Sequence, residues 1–261
     1  MIRRVVRDLK KYNAYCLYAV RATLKSEVAG SYLNWLWWFL DPLLFMLVYT
    51  FIVQVVFDKR MPNFHIYVFI GLNVWKMFNG SVMASANLIR SSKGLLSKVY
   101  VPKFILLNTK IFVALFKMSV AFLLVFVMCA AFSVRLTWNL LYCLPLFLSL
   151  YVVTFGLSSI VLHMGVYFRD LSNIMSVLLR LVYYMSGIFF DIQSGVPQPY
   201  SDILLHLNPI AFLIHSLRQV VMYQSAPNLP VLLAWFLVGL ALAAAGIRLT
   251  YRHENSYVKV V

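Results

Sequence analysis

The sequence predicts an all-α integral membrane protein. Six transmembrane helices are expected, preceded by an amphipathic interface helix, with a re-entrant helical hairpin on the outer side before the last crossing. Three observations lead there. Of 261 residues, 62% are hydrophobic and only 12% charged. A mean hydropathy of +0.82 is far above that of a soluble domain, so the bilayer is the solvent. The net charge of +15 is carried by Lys and Arg that mostly flank the apolar runs. That is how membrane proteins record orientation rather than how a nucleic-acid surface is built, and no nucleic-acid partner is expected.

Taken in order, residues 4–32 carry Val5, Val6, Leu9, Tyr12, Tyr15, Cys16, Ala19, Val20 and Leu24 at spacings of three and four, with Lys10, Lys11, Arg21 and Lys25 between them. This is the pattern of a helix lying along the cytoplasmic interface; the alternative is a basic leader that only sets orientation. No clean apolar h-region is present, so the amino terminus is expected to stay in the cytoplasm. The first span is expected over 34–57. Asp41-Pro42 should break it, because proline removes a backbone hydrogen bond and kinks the helix, and Asp41 is expected to satisfy the freed amides.

The second span, 64–87, is interrupted by Asn73, Lys76, Asn79, Ser81, Ser85 and Asn87, so it must face protein or water rather than lipid. The basic stretch 88–108 is expected to be a cytoplasmic element offered to a partner. Spans follow over 109–133 and 140–167, separated by a short break at Arg135, then over 173–190 after the Arg169-Asp170 turn, and over 229–251. Segment 191–228 is too apolar for a solvated loop, yet it is broken at Asn208-Pro209. Two short helices dipping into the outer leaflet satisfy both facts. A seventh span there would put Arg248, Arg252 and Lys259 outside. One membrane domain, 1–261, is the economical description.

Counting Lys and Arg orients the chain. Seven fall in 1–33, five in 88–110, one at Arg169 and three from Arg248 onward, against Lys59, Arg60, Arg135 and Arg218 on the other side. Both termini are therefore expected inside. Lys76, Lys117 and Arg180 fall within spans, as does Asp41. From the cytoplasmic boundaries, Asp41, Lys117 and Arg180 lie about 10 to 12 Å deep and Lys76 about 16 Å. Intramembrane charges are functional candidates by default. One reading is an anion-friendly patch able to meet a phosphate or pyrophosphate headgroup. The other pairs Asp41 with Lys117 or Arg180 as structural glue while the remaining cations snorkel.

Tyr32, Trp35, Trp37 and Trp38 stand where an interfacial aromatic belt is expected. Tyr49, Trp75, Phe78, Tyr183 and Tyr184 lie deeper, where a belt is no explanation and faces for sugar stacking are. His163 reads as a helix-packing residue. Cys16, Cys129 and Cys143 read as small buried apolar residues, without a CxxC.

No G-x-x-x-x-G-K-S/T phosphate loop and no HExxH occur, and the eight Asp and Glu residues are scattered singly. No catalytic residue, bound cofactor or metal is assigned to this chain, so work must be powered from outside it. A membrane enzyme handling lipid-linked sugars would want paired carboxylates, whereas Asp58, Asp170, Asp191 and Asp202 stand alone. A secondary transporter would show two matching halves with breaks in matching positions, and no such halves are visible.

In order, the basic leader, LNWLWWFLDPLLFMLVYTFIV, YVFIGLNVWKMF, SANLIRSSKGLLSKVYVPKFIL, GVYFRDLSNI and LNPIAFLIHSLRQ resemble the permease subunit of ATP-binding-cassette type 2 exporters of polysaccharides, O-antigen, capsule and teichoic acids. The resemblance runs from about Leu9 to Tyr251. It implies a homodimer of six-span subunits in the bacterial cytoplasmic membrane, joined by two cytoplasmic ATP-binding subunits that hold ATP and Mg. It further implies a lipid-linked glycan or polyol-phosphate polymer as substrate. Lys98, Tyr100, Val101, Pro102 and Lys103 match the family's ATPase-coupling motif, and Arg169 and Asp170 its FRD turn. The stretch from Asp191 to Arg218, including Asn208 and Pro209, matches its two outward gate helices. The chain departs from the pattern at Val74, where many relatives have proline, and at Lys76, where a neutral residue is more usual. Related exporters of drugs and small lipids usually carry a large external domain between the first two spans. Here that loop is 58–63, which favours the glycan branch.

Overall fold

The structure, a computed structural model, describes residues 2–29, 36–58, 61–254 and 257. Tyr32, Trp35, Lys59, Arg60 and Lys259, invoked above, lie outside the described residues. The described residues form helices and no strand.

Helix α1 (Ile2–Ala29) runs beside α5 (Lys103–Ala131). Its Cys16 is buried and accepts hydrogen bonds from Thr109 and Asn108 of α5. The other two cysteines are also free and buried. Helix α2 (Trp37–Phe51) passes through Pro42 and ends in a π-helical turn over Ile52–Val56. The expected break at Asp41-Pro42 is thus corrected. Pro42 sits in the second turn, where only one carbonyl loses its donor, and the Asp41 carboxylate turns to Lys76 instead of to backbone amides.

Helix α3 (Phe64–Ser91) lies at the centre, against α2, α5, α6 (Cys143–Tyr167), α7 (Leu171–Tyr184) and α10 (Pro209–Val221). Its polarity is answered internally. Asn73, Ser81 and Ser85 donate to the carbonyls of Phe69, Met77 and Val82. The polar groups of α3 are therefore tolerated because protein surrounds the helix. Four stretches are long and apolar enough to cross a bilayer: Trp37–Val56, Lys103–Ala131, Trp138–Tyr167 and Leu229–Arg252. The last of these is α11.

Two boundaries move. Helix α5 starts well before residue 109, so the stretch 88–108 resolves into the end of α3, the short α4 (Lys93–Leu96), a link over 97–102 and the first turns of α5. Helix α7 is only 14 residues long, about 21 Å. It stops at Tyr184 rather than at 190 because the chain turns at Gly187, whose φ of +61° suits glycine. Beyond it, α8 (Ile192–Gly195) and α9 (Tyr200–Leu207) lead through Asn208 into α10. The expected helix, break and second helix is what the chain forms.

Small residues let α6 pack closely on both neighbours, as expected where lipid offers no hydrophobic drive. A Cβ on Gly165 would stand 2.1 Å from the Ala86 carbonyl oxygen of α3, and one on Gly156 would stand 2.7 Å from the Gly239 carbonyl oxygen of α11.

Candidate functional site

Two cavities flank one ion pair. Lys76 Nζ of α3 lies 2.6 Å from Asp41 Oδ2 of α2, and both side chains line both cavities. The first, about 650 Å³, lies between α1, α2, α3 and α5, and its walls include Glu27, Trp37, Trp38, Lys110 and Lys117. The second, about 600 Å³, lies between α2, α3 and α7 and includes Tyr49, Trp75, Arg180, Tyr183 and Tyr184.

The intramembrane charges do come together, with different partners from those expected. Asp41 pairs with Lys76, not with Lys117 or Arg180. Lys117 pairs with Glu27 of α1 at 2.5 Å and stands 5.3 Å over the Trp38 ring. Sequence reasoning missed Glu27 because it weighed only charges inside spans. Its place beside Lys117 follows from α1 lying against α5, which spacing within either helix does not encode.

The deep aromatics also gather. Tyr49 stacks on Phe189 with ring centroids 3.7 Å apart. Trp75 lies 5.2 Å from Tyr183 and 5.7 Å from Phe78, and Tyr183 meets Tyr184 edge-on at 5.4 Å. Offset and edge-to-face rings are the favoured arrangements; Phe78 is buried beneath the group, while Tyr49, Trp75, Tyr183 and Tyr184 border the second cavity. Phe189 was not expected; it joins because the chain turns back after α7.

The coupling segment divides into two faces. Lys98 and Tyr100 are exposed, whereas Val101, Pro102 and Lys103 turn inward. Lys103 Nζ lies 3.5 Å from Glu254 Oε1, with only 6% of its side chain exposed, so it is held inside rather than offered outward. Glu254 also accepts from the Tyr100 hydroxyl at 2.9 Å and from Arg4 at 3.4 Å. Burial, followed by the hydrogen bond and charge of Glu254, pushes the Tyr100 phenol up, which keeps it a donor. One carboxylate thus ties the start of α1, the link before α5 and the end of α11. Arg169 and Asp170 form an exposed turn, and the Asp170 carbonyl accepts from the Asn173 and Ile174 amides that open α7. His163 packs as expected, its Nδ1 2.6 Å from the Tyr257 hydroxyl.

At the opposite end, the Asn208 side chain accepts from the Ile210 and Ala211 amides and caps α10, with Pro209 at its first position. Arg218, counted from sequence as an outer-loop charge and gate residue, is 2% exposed. It donates to the carbonyls of Tyr67, Gly187 and Ile188 at 3.1, 2.7 and 2.9 Å. It is therefore no solvated loop charge: Arg218 ties α10 to α3 and to the turn after α7. Among the described residues no cluster of His, Cys, Asp and Glu could hold a metal.

No family model matches the chain. It is 30% identical to the O-antigen export system permease protein RfbA of Myxococcus xanthus over 253 residues, 96% of this chain and 97% of that one. A protein of the same name from Klebsiella pneumoniae is 27% identical, over 91% of each chain. The polysialic acid transport protein KpsM of Escherichia coli is 26% identical, over 73% of this chain and 74% of that one. With likeness at this level running almost end to end, the apolar helices and the buried polar helix α3 are those of a polysaccharide-export permease, and the chain belongs to the O-antigen export permease family.

Proposed function

We propose that the chain is the membrane half of an exporter that carries a lipid-linked polysaccharide, or a polyol-phosphate polymer of similar character, across the bacterial cytoplasmic membrane. The observation that carries this reading is the cavity walled by Tyr49, Trp75, Tyr183 and Tyr184. Aromatic rings with polar edges give a sliding glycan many weak contacts, where deep polar pockets would hold it still. The work comes from ATP and Mg on two separate cytoplasmic subunits, because export in one direction needs states that differ by nucleotide binding.

The chain crosses six times with both termini inside. Helix α3 is the crossing shielded by protein, α7 the short one, and α8 to α10 a re-entrant hairpin at the outer gate. Two copies meet through α2 and α7, whose Phe45, Val48, Leu178 and Leu181 leave apolar faces exposed, so the aromatic cavities of both line one path. The ATP-binding subunit docks on the outward face of the link, at Lys98 and Tyr100, and on the Arg169-Asp170 turn. Closure of that subunit pulls on Val101, Pro102 and Lys103, and through them on the ends of α3 and α5.

The test is to purify the tagged chain in mild detergent, weigh the complex and identify what accompanies it. A two-plus-two assembly with a nucleotide-binding subunit is the expected result. A chain that purifies alone overturns the reading. Export of another amphipathic lipid by the same architecture is the alternative, separated by assaying glycan at the cell surface.

A further inference from the structure

The link over 97–102 forms no helix of its own, yet helices on both sides grip it. From α1, the Tyr12 hydroxyl donates to the Tyr100 carbonyl at 3.4 Å. From α11, Glu254 accepts from the Tyr100 hydroxyl at 2.9 Å, although Tyr100 is 54% exposed. Tyr100 therefore touches the outside with its ring and the end of α11 with its hydroxyl. Glu254 is drawn inward, with 13% of its side chain exposed, against Lys103 of α5 and Arg4 of α1. Arg4 stands 4.4 Å over the Tyr251 ring, and the Tyr251 hydroxyl donates at 2.6 Å to the buried Asp8. The contacts run without a gap from the exposed ring of Tyr100 through Glu254 into α11, and through Arg4 into α1. Helix α11 in turn lies backbone to backbone on α6 at Gly239 and Gly156, so what reaches Glu254 reaches a packed block. Energetic coupling between distant sites needs such packed and hydrogen-bonded elements. A carboxylate present only to neutralise Lys103 has no use for Tyr100, whose phenol is uncharged and whose hydroxyl turns inward from a solvent-facing ring.

We propose that Glu254 is a positioning residue of the exporter's drive. It holds the outward face of the link at Tyr100 in register for the nucleotide-binding subunit, and it passes the link's displacement to α11 and α1. This route is separate from the one through the ends of α3 and α5. Without the carboxylate, the irregular link flexes under the partner's stroke and the stroke is absorbed there. The proposal rests on the docking reading above, since the displacement arrives through Tyr100.

The experiment uses the full chain in complex with its nucleotide-binding subunit and compares wild type with Tyr100→Phe and Glu254→Gln. ATP hydrolysed per unit of surface glycan should rise roughly tenfold in both variants, the scale of a typical coupling free energy. Hydrogen exchange over 249–254, the last turn of α11, should change when ATP binds the wild-type complex and stay unchanged in the variants. A purely structural carboxylate lowers the melt but leaves both the ratio and the exchange response of the folded complex as in wild type, and that result overturns the proposal. If Glu254→Gln fails to fold, Tyr100→Phe decides alone, because it removes one hydroxyl and keeps the Lys103 pair. Loss of the subunit from Tyr100→Phe assigns the phenol to docking rather than to transmission and also overturns the proposal. The docking reading is tested apart from this by Lys98→Glu, outside the network: a subunit retained there overturns docking at Lys98, whereas a wild-type ratio in Tyr100→Phe with the subunit bound overturns the role of Glu254 alone. A chain with no nucleotide-binding partner overturns both.

Discussion

Arg218 and Lys76 are both cations among apolar helices, and they are treated in opposite ways. Arg218 is fully enclosed and spends its donors on three backbone carbonyls from two other segments, with the Tyr67 ring 3.3 Å from its guanidinium carbon. Lys76 is half exposed, touches one carboxylate and borders two cavities. The planar fork of arginine suits a fixed set of acceptors, whereas an ammonium on a flexible stem changes partners readily. A cation enclosed by carbonyls holds the fold, and a cation beside a cavity with one weak partner is available for use.

That contrast is broken most forcefully at the enclosed end. Arg218→Met leaves the buried Gly187 and Ile188 carbonyls without their donor and should cost about 2 to 4 kcal/mol, read as a large drop in thermal midpoint and in yield of folded protein. Arg218→Lys should recover only part, because an ammonium cannot span the same three acceptors. At the inner end, Glu254→Gln leaves Lys103 buried without its carboxylate and should cost about 1 to 3 kcal/mol, measured by the same melt. Tyr184→Ala should move stability by no more than about 0.5 kcal/mol, as for an exposed site, while lowering surface glycan severalfold; unchanged glycan would remove Tyr184 from the path. Lys98→Glu, on the outward face of the link, should leave the melt unchanged and abolish co-purification of the nucleotide-binding subunit. Lys103→Glu would break the fold instead and so cannot report on docking. At the seam between the two cavities, where both partners are about half exposed, Lys76→Gln should cost under about 1 kcal/mol. A loss as large as that of Arg218→Met would show that Lys76 is structural after all.

The order of the helices and the shielding of the second span were legible because they rest on local pattern. Asn73, Ser81 and Ser85 satisfy themselves within one or two turns of their own helix. That Asp41, Lys76, Lys117 and Arg180 would stand around neighbouring cavities was partly legible, since helix rise places them at similar heights along their helices. Who pairs with whom was not. Lys76 meets a residue 35 positions away, and Arg218 reaches a carbonyl 151 positions away. Such contacts depend on which helices are neighbours and how each is rotated. The partner of Lys103 was hidden for the same reason: Glu254 reaches it only because the end of α11 lies beside the link. Pro42 was overweighted because its effect depends on its place in the helix, and that place moved when α2 began at Trp37.

The contact of Gly165 with the Ala86 carbonyl has a consequence for how the molecule moves. With no side chain between them, α3 and α6 cannot slide or roll on each other without backbone collision. The close approach of Gly156 to Gly239 ties α11 into the same block. A side chain added at Gly165 or at Gly156 would therefore have to push whole helices apart, so α3, α6 and α11 form a single mast, whereas α2, little buried against the rest, is rigged to it only lightly.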